Sequence, residues 1–227
     1  METYVVRLWL PDRPGALGQV ASRIGAVRGE IGGIEILERG AGRAIDELVV
    51  DLPEPGLEDL LVHEIGQVDG VDVEEIRPVA DALHDPRLDA LETVAILVGA
   101  GDREELIGAV VVHSRRAIGA DWSAVVDLED GSVLAAEGPV PAPAWLVAFV
   151  EGSQTSARVA SGEAGPDDVV WSPLPSAGLA LLVGRDGTAY RARERRSVAA
   201  LARIVDTRFR ELARFSSLTN HPSMGRR

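Results

Sequence analysis

The period of the apolar residues changes within residues 4–27, and that change constrains the fold more than any bulk property. Tyr4, Val6, Leu8 and Leu10 alternate with Val5, Arg7 and Trp9, the period of a strand with one buried face. From Ala16 the apolar positions fall at Leu17, Val20, Ala21, Ile24 and Val27, a helical spacing that stops near Gly29. Between the two lies Asp12-Arg13-Pro14-Gly15. Pro14 suits a first helical turn, where its missing N–H has no partner to lose, and Gly15, lacking a Cβ, admits close approach of backbone or ligand. The helix would then start with free N–H groups facing outward, and these favour a carboxylate or other anion by about 0.3–1 kcal/mol. The same residues also make an ordinary tight strand-to-helix turn, so local sequence leaves both readings open.

Downstream, Ile34 to Arg39 and Ala44 to Leu52 are β-branched, partly alternating runs around Gly40-Ala41-Gly42-Arg43, a hairpin pattern. Leu57, Leu60, Leu61 and Ile65 fall at helical spacing within 56–68, and Asp69-Gly70 turns the chain into an acidic strand, Val71 to Ile76. Residues 1–79 thus read β-α-β-β-α-β, a split βαβ (ferredoxin-like) sheet with two helices on one face. In that order the second strand lies at a sheet edge with unpaired backbone groups, which predicts self-association there.

Leu8-Trp9-Leu10-Pro11-Asp12-Arg13-Pro14-Gly15-Ala16-Leu17, set in this element order, resembles the strand, D-x-P-G-x-L turn and helix start of the ACT domain family. The resemblance covers residues 1–79. It implies a small regulatory module that binds a small molecule, commonly an amino acid, beside the turn and often at an interface between two such domains. The matching positions are Asp12, Arg13, Pro14, Gly15, Ala16 and Leu17. Arg13 would orient the ligand carboxylate, and Asp12 would cap the helix or hold an ammonium group. Several amino-acid-binding members have Asn or His where this chain has Asp12 and Arg13.

Residues 80–92 contain Pro86, which ends one element and permits another to start, and they are read as a linker. Residues 93–216 form the second domain, and 217–227 a flexible tail. Asp102 with Glu105 three residues on is a capping signal for a helix over 102–118. Strands at 122–128 and 132–136 flank the turn Glu129-Asp130-Gly131, and a helical segment follows at 144–150. Two more strands at 169–172 and 179–184 precede a long closing helix over 193–215 with an apolar stripe at Val198, Leu201, Val205 and Leu212, expected to pack against Leu88 to Val98. This order, with Gly184-Arg185-Asp186-Gly187 leading towards Ser197-Val198-Ala199-Ala200-Leu201, resembles a GAF domain, an antiparallel sheet with helices behind it. A PAS-like sheet, or an α+β domain without a sensor role, fits the same order. The whole is an α+β protein of two domains.

Composition narrows the function. There are no cysteines, which removes disulfides, thiol catalysis and thiolate metal sites. The formal net charge of −13 opposes a general nucleic-acid or anionic-membrane binder, although residues 185–227 hold eleven arginines against four acidic residues. Arg196, Arg203 and Arg210 recur every seven residues, the spacing of one solvated helix face. His63, His84, His113 and His221 lack metal-ligand spacing. No G-x-S-x-G, P-loop or dinucleotide fingerprint occurs, and Asp167-Asp168 reads as a polar turn. Trp9, Trp122, Trp145 and Trp171 read as core or interface anchors, with an apolar pocket in the second domain as the alternative. The N-terminus carries no basic segment before an apolar one, and no apolar run approaches a membrane span, so a cytoplasmic protein is expected. The sequence therefore predicts a non-catalytic, homo-oligomeric regulator without a cofactor, binding a metabolite and acting on another protein. A dimerisation module with no ligand, or an enzyme with a site of unrecognised spacing in the second domain, are the alternatives.

Overall fold

A computed structural model describes residues 2–79, 86–160 and 166–219. The chain divides into two compact units, Met1–His84 with Arg191–Arg193 and Asp85–Tyr190 with Glu194–Arg227.

The first unit runs β1 (Glu2–Pro11), α1 (Ala16–Ala26), β2 (Glu30–Gly40), β3 (Arg43–Leu52), α2 (Glu58–Ile65) and β4 (Asp72–Val79). Its sheet is antiparallel in the order β2-β3-β1-β4, which is the split βαβ arrangement read from the sequence. Tyr4, Val6, Leu8 and Leu10 of β1 share one buried cluster with Ala44, Leu48, Val50 and Leu52 of β3, and with Ala16, Val20 and Ile24 of α1 and Leu61 and Ile65 of α2. The apolar phases of strand and helix are thus satisfied together. Strand β2 lies at an edge, as the order requires. It begins at Glu30, ahead of the expected start at Ile34. The glycine pair is carried within the strand, and the register shifts between Ile31 and Gly33. The hairpin to β3 turns on Ala41 and Gly42, both at positive φ (51° and 79°), as a two-residue type I′ connection needs.

The second unit runs α3 (Pro86–Gly99), α4 (Arg103–Ile118), β5 (Trp122–Asp127), β6 (Val133–Glu137), α5 (Pro143–Thr155), α6 (Ala157–Ala160), β7 (Val169–Leu174), β8 (Leu179–Gly184) and α7 (Ala192–Thr219). Asp102 caps α4, accepting the N–H of Glu105 at 2.9 Å, as its sequence pattern predicts. The sheet is antiparallel in the order β6-β5-β8-β7. Val125, Leu181 and Val183 face a cluster with Leu106, Val110, Val198, Leu201 and Val205, from α4 and α7. Trp122, Ala124, Val126, Ala180 and Leu182 face Leu146 and Val150 of α5. Helices therefore cover both faces, a three-layer arrangement, where helices behind one face were expected. The central strand β8 is buried along its whole length.

Two further expectations are corrected. Residues 86–92 belong to α3 rather than to a linker, because the fixed φ of Pro86 suits the first position of a helix. Helix α7 continues to Thr219, into the expected tail; 80–85 and 220–227 lie outside the described residues. Leu97 of α3 joins the cluster that holds the α7 stripe, whereas Leu88, Leu91, Ile96 and Val98 are exposed. Among the described residues no helix is long and apolar enough to cross a membrane.

Candidate functional site

The turn that ends β1 is built from backbone hydrogen bonds. Asp12 donates its N–H to Gly42 O of the β2–β3 hairpin at 2.9 Å, and Arg13 donates to Pro11 O at 2.8 Å. Ala16 donates back to Arg13 O at 3.3 Å, closing the four-residue turn Arg13-Pro14-Gly15-Ala16. Gly15 has φ 87° and ψ −12°. Those angles belong to the third residue of a type II turn, which wants Pro before it and glycine in place. Pro14 and Gly15 thus stand just ahead of the helix, with Gly15 as its cap, and not inside the first turn as the sequence reading had Pro14. A Cβ on Gly15 would meet nothing within 4 Å. Glycine is required there by its positive φ, and no protein atom makes a close approach.

No side chain caps α1. Gln19 donates to Gly15 O at 3.0 Å, while Leu17 and Gly18 hold the free N–H positions of the first turn. Asp12 is exposed and does not cap the helix, which removes one of its two expected roles. The Arg13 guanidinium is also exposed and donates to Gln19 Oε1 at 3.3 Å, lying along α1. Pro14 and Gly15 are exposed, Leu17 is half-buried, and Ala16 is fully buried in the core. The side chain of Ala16 therefore faces away from any ligand at the turn.

The sequence reading missed Asp46. It lies opposite Leu8 of β1 and Ile36 of β2, on the face of the sheet that α1 and α2 cover. Only 3% of it is exposed, and its Oδ1 has no hydrogen-bond partner. Burial pushes its carboxyl above the usual range; Arg39 opposes that shift and Asp12 adds to it. The signal was present in the alternation Ala44, Asp46, Leu48, Val50, which sets a carboxylate in the inward phase of β3. The opposite face of the sheet holds a satisfied charge: Arg7, 2% exposed, donates to Glu47 Oε2 through Nη2 at 2.9 Å and Nε at 3.2 Å.

Trp122 is buried and Trp171 packs against the same cluster, while Trp145 stacks on Phe149 with ring centroids 5.4 Å apart. Arg196, Arg203 and Arg210 are exposed. His63 and His113 lie on separate helices, α2 and α4; His84 and His221 lie outside the described residues. A cleft of about 240 Å³ in the second unit is lined by Asp102, Arg103, Ser176, Phe209 and Leu212. Asp102 there caps α4, Ser176 donates its N–H and hydroxyl to Asp206 at 2.7 and 2.9 Å, and the Arg103 guanidinium lies over the Phe209 ring.

No family model and no curated protein matches the chain. Over about a third of its length the chain is similar to solved ACT domains. With the ACT domain of the GTP pyrophosphokinase of Chlorobium tepidum it shares 16% identity over 35% of this chain and 100% of that one, at a TM-score of 0.28. With the C-terminal domain of the MgtC protein of Mycobacterium tuberculosis it shares 16% identity over 37% and 93%, at 0.29. An unknown protein from Galdieria sulphuraria is similar over 95% of this chain and 94% of its own, with 14% identity and a TM-score of 0.34.

Proposed function

We propose that the first unit is a ligand-sensing regulatory module that binds a small α-amino acid at the start of α1, and that the chain is a non-catalytic regulator acting through a protein partner. The observation that carries this reading is the uncapped first turn of α1, whose Leu17 and Gly18 N–H groups follow a type II turn held open by Gly15. A carboxylate fits such donors because the helix dipole adds to the hydrogen bonds. Arg13 stands beside the turn to add a charge-assisted contact. Asp12, exposed next to it, supplies the negative charge that favours a ligand ammonium group. That pairing of opposite charges selects an amino acid over a simple acid. Ligand binding shifts the chain between states by no more than its difference in affinity for them. Self-association through the β2 edge, extending the sheet, belongs to the same proposal.

A thermal-shift screen of the full chain with the twenty amino acids tests it, since a ligand that prefers the native state raises its apparent stability. One amino acid should do so with a dissociation constant of roughly micromolar to millimolar, as befits a ligand this small. Arg13→Ala should weaken binding and leave the fold intact, and Gly15→Val should abolish it by straining the turn. A ligand whose affinity neither substitution changes would place the site elsewhere.

A further inference from the structure

The cleft of about 240 Å³ in the second unit is lined by two turns that α7 holds in place. Arg208 of α7 donates to Ala100 O, in the turn before α4, through Nε at 3.1 Å and Nη2 at 2.7 Å. Asp206, only 9% exposed, accepts the N–H and hydroxyl of Ser176 and so fixes the turn between β7 and β8. Both walls are fastened to α7 by hydrogen bonds with a charged partner, so the gap between them is a fixed feature of the fold. Its remaining wall is apolar: Phe209 and Leu212 of α7 are buried, and Phe215 is 62% exposed beside them.

We propose that this cleft binds a small aromatic monocarboxylate, its ring against Phe209 and Phe215 and its carboxylate on Arg103. Charge selects the acid. Arg115, Arg185, Arg208 and Arg210 of this unit each face a carboxylate, whereas Arg103, exposed at the cleft, has no ion-pair partner among the described residues. Its guanidinium lies over the Phe209 ring, 5.4 Å from the centroid, a contact that leaves N–H donors for a carboxylate. The acidic groups nearby are committed: Asp102 accepts the N–H of Glu105 at 2.9 Å, and Glu105 accepts that of Gly101 at 2.6 Å. Size selects the ring. A cavity of about 150 Å³ lined by Leu, Ile and Phe takes benzene, so this larger cleft holds one ring with a short acid arm. Phenylalanine side chains add the preference for a flat partner. This inference is independent of what binds at the opening turn.

Phenylacetate is the probe, titrated into the full chain and followed by backbone amide NMR. Saturable shifts are expected at Gly101, Arg103, Ala177 and Ala213, with a dissociation constant of roughly micromolar to millimolar. Phenylacetamide, which keeps the ring and loses the charge, should bind about tenfold more weakly or worse. Arg103→Ala, at an exposed position, should weaken phenylacetate by a similar factor. Ala213→Trp, also at an exposed position, should fill the cleft and abolish the shifts. Arg13→Ala should leave phenylacetate binding unchanged, which separates this site from the one at α1. Absence of saturation at millimolar phenylacetate, equal affinity for phenylacetamide, affinity indifferent to Arg103→Ala or Ala213→Trp, or loss of binding in Arg13→Ala would overturn the proposal.

Discussion

Asp46 should destabilise the first unit at neutral pH, and its removal should be measurable as a gain. The carboxylate is 3% exposed, sits between Leu8 and Ile36, and leaves Oδ1 without a partner. A buried group in that state costs about 1–3 kcal/mol, and Arg39 and Asp12, the charges that act on it, oppose one another. Asp46→Val places a β-branched apolar side chain of similar size in a strand, so the gain should approach that figure at pH 7. Because burial raises the folded carboxyl above its ordinary value, the folded state binds more protons than the unfolded chain above about pH 4. The wild-type penalty is therefore full at neutral pH and fades as pH falls through the folded value. The advantage of Asp46→Val should shrink on acidification and level off below pH ~4, where the carboxyl is protonated in both states. Amide hydrogen exchange of Val6 and Leu48, in the core strands of this unit, reads its opening free energy directly in the full chain. Equal protection in the two proteins at pH 7, or a difference that does not change with pH, would refute the reasoning.

Three further outcomes follow from single contacts. Gly184→Ala should destabilise the second unit by about 1–3 kcal/mol in denaturant unfolding, since a Cβ there would lie 2.2 Å from the Trp122 ring in a fully buried strand. Arg28 takes φ 58° at the end of α1, where its N–H bonds Gly25 O and that of Gly29 bonds Ile24 O. Arg28→Gly should stabilise by about 1 kcal/mol by relieving the left-handed conformation, read as a higher Tm. Arg185 holds Glu194 through two nitrogens at 2.7 and 3.0 Å, bonds the carbonyls of Thr188 and Ala189, and covers the Tyr190 ring. Arg185→Ala should cost about 1–3 kcal/mol of unfolding free energy, because the hydrogen bonds to Glu194, Thr188 and Ala189 and the ring contact are lost together.

Where apolar period and turn chemistry agree, the fold was legible. The alternation from Tyr4 to Leu10, the helical spacing after Ala16 and the glycines of the β2–β3 hairpin specify the first sheet nearly in full. Strand order in the second unit was not legible, because the pairing of β5 with β8 depends on packing between distant segments. The same holds for α5, whose apolar side says nothing about which sheet face receives it. Helix α3 was partly hidden because it is introduced by a proline that also fits a linker. At the candidate site, the sequence located the turn but not its type: Gly15 serves a type II turn, a distinction that rests on φ and not on residue identity. Asp46 could have been found by asking which charged residue occupies an inward strand position.

The central claim, an amino-acid site on the first turn of α1, is tested most directly by following backbone amide NMR signals of the full chain during titration with each amino acid. The account predicts that one of them saturably shifts Leu17 and Gly18, the two donors without a protein acceptor, with smaller changes at Asp12 and Arg13. Saturable shifts confined to the second unit, with Leu17 and Gly18 unmoved, would contradict it.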